Sequence, residues 1–490
     1  MPKKYLYGAA VQGIQSFIFQ TNKLKEIVGA SDLVEKICTS IFQDIAGVSS
    51  ITSDINWIIG AAGNIKYLFE NEEQARLVVR EFPKEVMLKA PGITISQALV
   101  EVDTEITADH INRLEEKLKV QKNMLPNPFY MGYMAAERSR RTGLASWSGG
   151  KDYEDLPSIL KKENDGSELL QKIGQQSREK LFEKEIEKFV NGSEKSWIAV
   201  IHADGNSLGK TLQKLSHSLN GKSGQEVLSR FRTFSQNLNE ATCKAAELAL
   251  KETFKQDIES NIIIPLRPIV IGGDDLTVIV RAKEALQFTE KFLFHFEAES
   301  HRLFHKFFGE IGFDQDRLTS CAGIAYVKSS YPFHYAVELA EKLCRKAKEE
   351  SKCRNMNSPA SSVAFYKVQS SFIDEIVEMI NQEQTCKDGL SFFYGPYFLS
   401  QHPTIEALSA NVRLVCEENA PASQLRQWLT ERYADVNSAN MLLDRTIKVL
   451  ESKSSRKKYV EKLALKSILK DKAEKCPVYD WITIASLEKN

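Results

Sequence analysis

The same order of predicted elements occurs twice along the chain, and this duplication constrains the fold more than any other feature of the sequence. Apolar residues at strand and helix spacing follow the order β-α-β-β-α-β in both copies. In the first copy the elements are predicted over residues 4–11, 13–40, 56–69 (a hairpin), 71–88 and 92–102. In the second copy they are predicted over residues 197–203, 223–254, 268–280 (a hairpin), 283–308 and 319–327, with a further helix over 335–348. This order is that of a ferredoxin-like domain, so the sequence predicts an α+β protein with two such domains in tandem.

The rest of the sequence completes a prediction of four units. They are a first ferredoxin-like domain over 1–106, a partly helical connector over 107–195, a second ferredoxin-like domain over 196–369 and a C-terminal helical domain over 370–490. The connector is polar and charged, which predicts one helix near 108–124 and little packed core. In the C-terminal unit, helices are predicted over 371–384, 404–418, 422–451 and 455–472.

Charge and cysteine content narrow the classes of protein to consider. The 65 Lys and Arg residues balance the 65 Asp and Glu residues, so the whole chain is not a basic binder of nucleic acid or membrane. The eight cysteines form no Cys-x-x-Cys pair, which disfavours a zinc ribbon and a disulfide framework. No apolar stretch approaches the roughly 18 residues of a membrane-spanning helix. We therefore expect a cytoplasmic protein with no membrane partner and no zinc in the connector.

Two adjacent aspartates at a hairpin tip are the strongest chemical signal. Asp274 and Asp275 follow Gly272 and Gly273 between two apolar strands, and glycines there permit a tight turn and a close ligand. Asp204 follows the first strand of the same copy, which lies beside the hairpin in a ferredoxin-like sheet. Carboxylates are the ligands that Mg²⁺ prefers, and paired metals serve phosphoryl and nucleotidyl transfer. The three aspartates thus predict a two-metal Mg²⁺ or Mn²⁺ site that binds nucleoside triphosphates, although adjacent Asp residues also occur as plain turn formers.

The segment after Asp204 is predicted to receive the triphosphate. Its backbone N–H groups precede a helix, and such groups attract phosphate. The residues predicted to contact the nucleotide are Gly205, Asn206, Ser207, Leu208, Gly209, Gly272 and Gly273. A P-loop is disfavoured, because that motif needs a glycine where Asp204 stands.

Several basic residues and one histidine have two interpretations each. Lys210, Lys346 and Lys348 could neutralise phosphate or lie on solvated faces, and His202 is expected to be a packed side chain rather than a base. The basic run 138–141 is interpreted as a solvated loop, with contact to RNA or to a partner as the minority alternative.

Taken together, these motifs resemble the large polymerase-cyclase subunit of type III CRISPR effector complexes. Members of that family have two palm domains, which are built on the ferredoxin-like plan, and the second carries Gly-Gly-Asp-Asp. The stretches that carry the resemblance are Val11–Ile18 and Lys25–Val34 in the first copy, and Ala203–Asn206, Ile271–Asp275, Ser320–Ile324, Tyr331-Pro332 and Arg345–Lys348 in the second. In the first copy, Gly60-Ala-Ala-Gly-Asn64 stands where the acidic motif would be.

The resemblance implies cyclisation of ATP into cyclic oligoadenylate, an antiviral second messenger, with two nucleotides held between the palms. Asp274 and Asp275 would bind metal and activate the 3′-hydroxyl, Asp204 would share the metal, and Lys348 would contact the γ-phosphate. The 60–64 turn and the 12–15 region of the first palm would form the acceptor side. Guide or target RNA and small CRISPR-type subunits are the partners that it implies.

Departures from the family pattern leave alternatives open. The sequence contains no His-Asp dipeptide and begins at the first palm, so we expect a short variant that lacks the HD nuclease domain and does not cleave DNA. An RNA-binding scaffold subunit and a stand-alone cyclic-dinucleotide synthase remain as alternatives. A GGDEF-type diguanylate cyclase is disfavoured, because Asp275-Leu276 stands where Glu-Phe would be. A template-directed polymerase is disfavoured by the lack of an extended basic channel.

Overall fold

The computed structural model describes residues 3–488 except 52, 62, 104, 125–136, 149–152, 183–184, 186–196, 314, 370–382 and 471–473. The helix predicted over 371–384 therefore lies almost entirely outside the described residues. Within them, the predicted α+β fold with two tandem ferredoxin-like domains is confirmed. No described helix combines the length and the apolar character that a membrane crossing requires.

The first domain is a four-stranded antiparallel sheet with helices on one face. Its strands are β1 (Lys4–Gln12), β2 (Trp57–Ala61), β3 (Asn64–Phe69) and β4 (Thr94–Val102), in the order β2-β3-β1-β4. Its helices are α1 (Ile14–Ile18), α2 (Leu24–Lys36), which continues through a π-helical turn Ile37–Ile41, α3 (Phe42–Ala46) and α4 (Glu72–Lys89). Tyr7 and Trp57 pack around the buried Phe42 ring at centroid distances of 5.8 and 5.1 Å. This aromatic core fixes the helices against the sheet.

The second domain repeats the plan and adds two strands at one edge. The strands are β5 (Trp197–Gly205), β6 (Leu266–Gly272), β7 (Asp275–Arg281), β8 (Ser320–Lys328), β9 (Ser362–Lys367) and β10 (Tyr397–Phe398), in the order β10-β9-β8-β5-β7-β6. The helices are α8 (Leu208–Ser218), α9 (Gly224–Thr253), α10 (Lys255–Glu259), α11 (Ala282–Glu310) and α12 (Phe333–Arg354). Helices α5 to α7 lie in the connector. Strand β9 pairs with β8 in parallel after the α12 crossover and was not predicted.

The connector is packed between the two domains rather than loosely attached. It contains α5 (Ala108–Asn123), α6 (Leu156–Glu163), α7 (Ser167–Lys172) and a 3₁₀ turn (Gln176–Leu181). Helix α6 approaches α2 so closely that a Cβ on Gly29 would lie 1.7 Å from the Lys161 carbonyl oxygen. Arg141, which the sequence placed on a solvated loop, donates to the fully buried Glu26 carboxylate at 2.6 Å. The expectation of little packed core was wrong for residues 153–182, because buried side chains of this segment, including Leu169 and Leu170, join the main core.

The C-terminal part is helical, but its helices are shorter than predicted. They are α13 (Ile405–Cys416), α14 (Ala422–Ala434), α15 (Val436–Glu451), α16 (Lys457–Lys462), α17 (Leu465–Lys470) and α18 (Val478–Glu488). The single helix predicted over 422–451 breaks at Asp435, whose carboxylate accepts the N–H groups of Asn437 and Ser438 and caps α15. Helix α18 was not predicted. Apolar side chains from these helices join the core of the second domain.

Candidate active site

The paired aspartates lie at the tip of the β6–β7 hairpin. Gly272 pairs with Asp275 across the hairpin, which leaves Gly273 and Asp274 as the two turn residues. Gly273 has a φ of +60°, a conformation that favours glycine. The hairpin register therefore presents both carboxylates at one end of the sheet, as the sequence predicted.

Asp204 reaches the same place from β5. The sequence placed it just after this strand, whereas β5 runs on to Gly205 because Asp204 and Gly205 continue to pair with β8. Since Ala203 pairs with Leu276 of β7, the next residue of β5 lies beside the start of β7. A Cβ on Gly205 would lie 2.9 Å from the Asp274 Cβ, so the glycine leaves room for the hairpin tip. The structure thus brings the three predicted carboxylates together.

Burial and neighbouring carboxylates raise the pKa values of Asp274 and Asp275. Burial, then Asp275, then Asp204 raise the pKa of Asp274 to about 8. Burial and then Asp204 raise the pKa of Asp275 to about 7, against a lowering by Lys348. Like charges crowded in a partly dry site disfavour ionisation. A bound divalent cation would remove this penalty.

Lys348 supplies positive charge at the site. It lies on α12, forms an ion pair with Asp204 and donates to the Gly205 carbonyl oxygen at 2.8 Å. Its side chain is 15% exposed. The two other lysines differ: Lys210 is exposed, and the Lys346 ammonium lies 3.9 Å from the centroid of the Phe393 ring. Lys348 is therefore the one of the three that contacts the carboxylate cluster.

His202 lies closer to the carboxylates than the sequence suggested. One of its ring nitrogens lies within 4.8 Å of carboxylate oxygens of Asp204 and Asp275, so the group could hold a metal ion. Its Nδ1 lies 3.0 Å from the Thr277 hydroxyl, and burial lowers its pKa to about 4. The ring is therefore neutral at pH 7 and is held by its neighbour on β7.

The predicted nucleotide segment turns sharply away from β5 into α8. Asn206 is buried and tied to the start of β8: its backbone N–H donates to the Thr319 carbonyl oxygen at 2.8 Å, and its side-chain amide donates to the Thr319 hydroxyl at 2.9 Å. Ser207 has a φ of +59°, and helix α8 then begins at Leu208. The Asn206 Oδ1 and Ser207 Oγ atoms are buried and lack a hydrogen-bond partner within the described ranges. Gly209 is exposed, with space around its Cα.

A cavity between the two domains reaches Asp275. It has a volume of about 140 Å³, and its lining includes Gln15 and Ser31 of the first domain and Val270 and Asp275 of the second. Gln15 donates to the carboxylate of Glu341 on α12. Burial and then Asp275 raise the pKa of Glu341 to about 7. Glu341 is thus a fourth carboxylate of the site.

Sequence reasoning missed Glu341. Its helical position, seven residues before Lys348, places both side chains on one face of α12 and could have indicated it.

The residues predicted for the acceptor side differ in whether they lie at the cavity. Gln15 lies at the cavity, whereas the Gln12 amide donates to Ser96 Oγ at 2.6 Å within the first sheet. In the 60–64 turn, Ala61 pairs with Asn64, and the Gly63 carbonyl oxygen accepts from Val11 N–H at 2.7 Å. Residue 62 lies outside the described residues.

Comparison with known proteins finds a family match within the second domain. Residues 197–357 match the family "Cas10/Cmr2, second palm domain". No curated protein sequence matches the chain.

Solved structures of Csm1 share the fold. The Csm1–Csm4 cassette in complex with cA4 is similar with a TM-score of 0.53 and 13% identity, over 100% of this chain and 70% of that chain. The same cassette with AMPPNP gives a TM-score of 0.52 and 13% identity, over the same shares. The Csm1–Csm4 subcomplex of the type III-A CRISPR-Csm interference complex gives 0.54 and 13%, again over 100% and 70%. The family match and the shared fold confirm the resemblance seen in the sequence: residues 197–357 match the second palm domain of the Cas10/Cmr2 family, and the chain has the fold of Csm1.

Proposed function

We propose that the protein is a metal-dependent nucleotidyl cyclase that joins ATP molecules into cyclic oligoadenylate, an antiviral second messenger. The observation that carries this proposal is the convergence of Asp204, Asp274 and Asp275 at one end of the second palm sheet, with Lys348 against them. Support comes from the solved Csm1–Csm4 structures with cA4, ATP and AMPPNP, which are similar in fold.

The reaction requires a 3′-oxygen of one nucleotide to attack the α-phosphorus of another. A new O3′–P bond forms, the bond between the α-phosphorus and the oxygen that it shares with the β-phosphorus breaks, and pyrophosphate leaves. The proton of the 3′-hydroxyl passes to a carboxylate or to water. A last attack within the linear product closes the ring. Because little covalent chemistry falls to the protein, positioning and charge stabilisation supply most of the catalysis.

The donor set fits Mg²⁺ or Mn²⁺. It consists of carboxylate oxygens, and hard cations prefer oxygen. Two of the carboxyl groups, those of Asp274 and Asp275, have raised pKa values, which a divalent cation would lower. Asp204, Asp274 and Asp275 would hold the ions, and the ions would neutralise the phosphate oxygens and lower the pKa of the 3′-hydroxyl.

Other residues would bind and orient the nucleotide. Lys348 would contact a terminal phosphate. Its ion pair with Asp204 and its hydrogen bond to the Gly205 carbonyl oxygen support this role. The segment 205–209 and the glycines 272 and 273 would bring backbone N–H groups to the phosphates, except for the Asn206 N–H, which donates to the Thr319 carbonyl oxygen.

The test is to incubate the purified protein with each of the four nucleoside triphosphates and Mg²⁺ or Mn²⁺, with and without target RNA. Products are identified by mass spectrometry, beside the variant Asp274→Ala/Asp275→Ala. We expect cyclic oligoadenylate from ATP with the wild type and none with the variant. A cyclic dinucleotide formed without RNA would instead favour a stand-alone synthase. Absence of any product, with metal-dependent nucleotide binding retained, would favour a scaffold role.

We also propose that the protein works with a small partner subunit. The similar solved structures are Csm1–Csm4 assemblies, one of them within a CRISPR-Csm interference complex. Co-expression with small CRISPR-type subunits, followed by size-exclusion chromatography, would test this. A partner that co-elutes in a fixed ratio supports the proposal, and elution of the chain alone from every co-expression contradicts it. Binding of guide or target RNA remains a prediction, which the same experiment tests through co-purified nucleic acid.

A further inference from the structure

A second cluster of metal-ligating side chains lies away from the carboxylate site. It consists of His301 and His305 on α11 and Asp316 in the segment that leads from α11 to β8. One ligand atom of each residue lies within 4.8 Å of the others. We propose that these three side chains form a binding site for a transition-metal ion of the Zn²⁺ class.

The spacing of the ligand atoms suits such an ion. In a tetrahedral site with bonds of about 2.0–2.1 Å, neighbouring ligand atoms lie roughly 3.3–3.5 Å apart. The His301 Nε2 atom lies 3.4 Å from the Asp316 Oδ2 atom. The two histidines are four residues apart, so they project from the same helix face, and their ring centroids are 4.9 Å apart. Both imidazoles can therefore turn a nitrogen toward the carboxylate with small rotamer changes.

The chemistry of the ligands selects the class of ion. Two neutral imidazoles and one carboxylate suit Zn²⁺, Co²⁺ or Ni²⁺, whereas Mg²⁺ and Ca²⁺ prefer oxygen alone. Arg317 lies 3.3 Å from the other carboxylate oxygen, Oδ1 of Asp316, and so helps to orient the group with Oδ2 facing the histidines. The side chains of His301 and Asp316 are 46% and 47% exposed, so an ion can enter from solvent and a water can complete the coordination.

Binding here would fasten the α11–β8 segment to the helix. Leu318 in this segment already exchanges hydrogen bonds with the Ser300 hydroxyl, its N–H donating at 3.0 Å and its carbonyl accepting at 2.9 Å. The next residue, Thr319, accepts the Asn206 N–H of the nucleotide segment. An ion that ties Asp316 to α11 would therefore stabilise the support of that segment. The ligands are separate from the palm carboxylates, so the site does not depend on the proposed cyclase activity.

The experiment uses the full chain with the palm cluster disabled by Asp204→Ala/Asp275→Ala, so that the second cluster can be measured separately. Co²⁺ binding is followed by its visible absorption, and Zn²⁺ affinity by competition against a chromophoric chelator. We expect one Zn²⁺ per chain, and an upward shift of the thermal midpoint on its addition. Adding His305→Ala to this background should weaken binding at least by the roughly 10- to 100-fold that loss of even an outer-shell partner costs a metal site.

The matched control is His334→Ala, which removes an exposed histidine whose ring packs on Tyr335. It should leave both the affinity and the Zn²⁺-induced thermal shift unchanged. Thermal midpoints in chelator should agree among the variants, because the substituted histidines are exposed. Equal Zn²⁺ affinity with and without His305, or no stoichiometric Zn²⁺ in the background variant, would overturn the proposal.

Discussion

Replacing Asp275 by asparagine should stabilise the metal-free protein while it removes activity. The side chain keeps its shape, but the charge that burial and Asp204 disfavour is gone. Such a gain in stability at the expense of function is typical of residues selected for a site rather than for the fold.

The size of the effect follows from the pKa of this carboxyl group. Burial and Asp204 raise it from 3.8 to about 7 in the folded protein. One pKa unit corresponds to about 1.4 kcal/mol, which sets an upper limit of about 4 kcal/mol. The pKa of about 7 already includes the opposing effect of Lys348, so we expect a gain on the order of 1–4 kcal/mol at pH 8.

The pH dependence has a definite sign. Below about pH 4 the carboxyl is protonated in both the folded and the unfolded state, so it costs nothing. As the pH rises from about 4 to 7, the unfolded chain releases its proton before the folded protein does, and the folded state loses stability. Above pH 7 the loss is complete. The advantage of Asp275→Asn over the wild type should therefore grow between pH 5 and pH 8.

The assay is thermal and urea unfolding in EDTA at pH 5 and pH 8. The matched control is Glu338→Gln, which neutralises a carboxylate that is 52% exposed on α12. Adding Mg²⁺ at pH 8 should raise the midpoint of the wild type more than that of Asp275→Asn. A lower midpoint for Asp275→Asn than for the wild type at pH 8 in EDTA, or an advantage that does not change with pH, would refute the reasoning.

Three further substitutions test the site and the packing around it. Gly205→Ala would place a Cβ 2.9 Å from an aspartate side chain of the site and should lower turnover by about 10²-fold, whereas Gly209→Ala, with open space, should leave the fold intact, as circular dichroism and product yield would show. Lys348→Met removes the contacts to the Gly205 carbonyl and to the cluster, and should lower kcat on the order of 10²-fold in steady-state assays with Mg²⁺. It should also lower the thermal midpoint in EDTA, because the repulsion among the carboxylates is then unopposed. Gly29→Ala would force a Cβ to within 1.7 Å of a connector carbonyl oxygen and should cost about 3 kcal/mol or more in urea unfolding. Gly309→Ala, whose Cβ would have no neighbour within 4 Å among the described residues, should be neutral or slightly stabilising.

The two ferredoxin-like domains were predictable because their strands are marked locally. The β5 segment 198–201 is an unbroken apolar run that is fully buried, and the hairpin tip is marked by two glycines and two aspartates. By contrast, β9 pairs in parallel with β8 only after the chain has crossed over through α12. No turn motif joins two such strands in sequence, so a local pattern could not reveal the pairing.

The prediction of a single helix over 422–451 was wrong for a different reason. Its apolar spacing continues across Asp435, and a helical pattern alone does not show that the side chain of this aspartate caps the next helix.

The prediction of a poorly packed connector was wrong because the core residues of the connector are few and are separated by charged ones. Arg141 and Lys162 instead form ion pairs with the buried Glu26 and the half-buried Glu154. Opposite charges from distant segments pair only once the fold brings them together.

At the site, the three aspartates were predictable and their surroundings were not. Lys348 reaches Asp204 because α12 lies close against β8, where a Cβ on Gly323 would stand 1.9 Å from the Ala340 carbonyl oxygen. Helix–sheet distance of this kind depends on one small residue and on everything packed around it. The sequence shows the glycine but not what approaches it.

Glu341 shows most directly what the assembled fold adds. Its carboxylate accepts from Gln15, which lies 326 residues earlier in the first palm, and Asp275 raises its pKa. The site therefore has four carboxylates. Among the described residues, Lys348 is the positive group that contacts them. Such an excess of negative charge is costly without a cation, and the first palm contributes directly to it through Gln15. The first domain lacks the acidic hairpin motif, but its residues Gln15 and Ser31 line the cavity that reaches Asp275. This contribution is a physical reason for packing a palm without aspartates against one that has them.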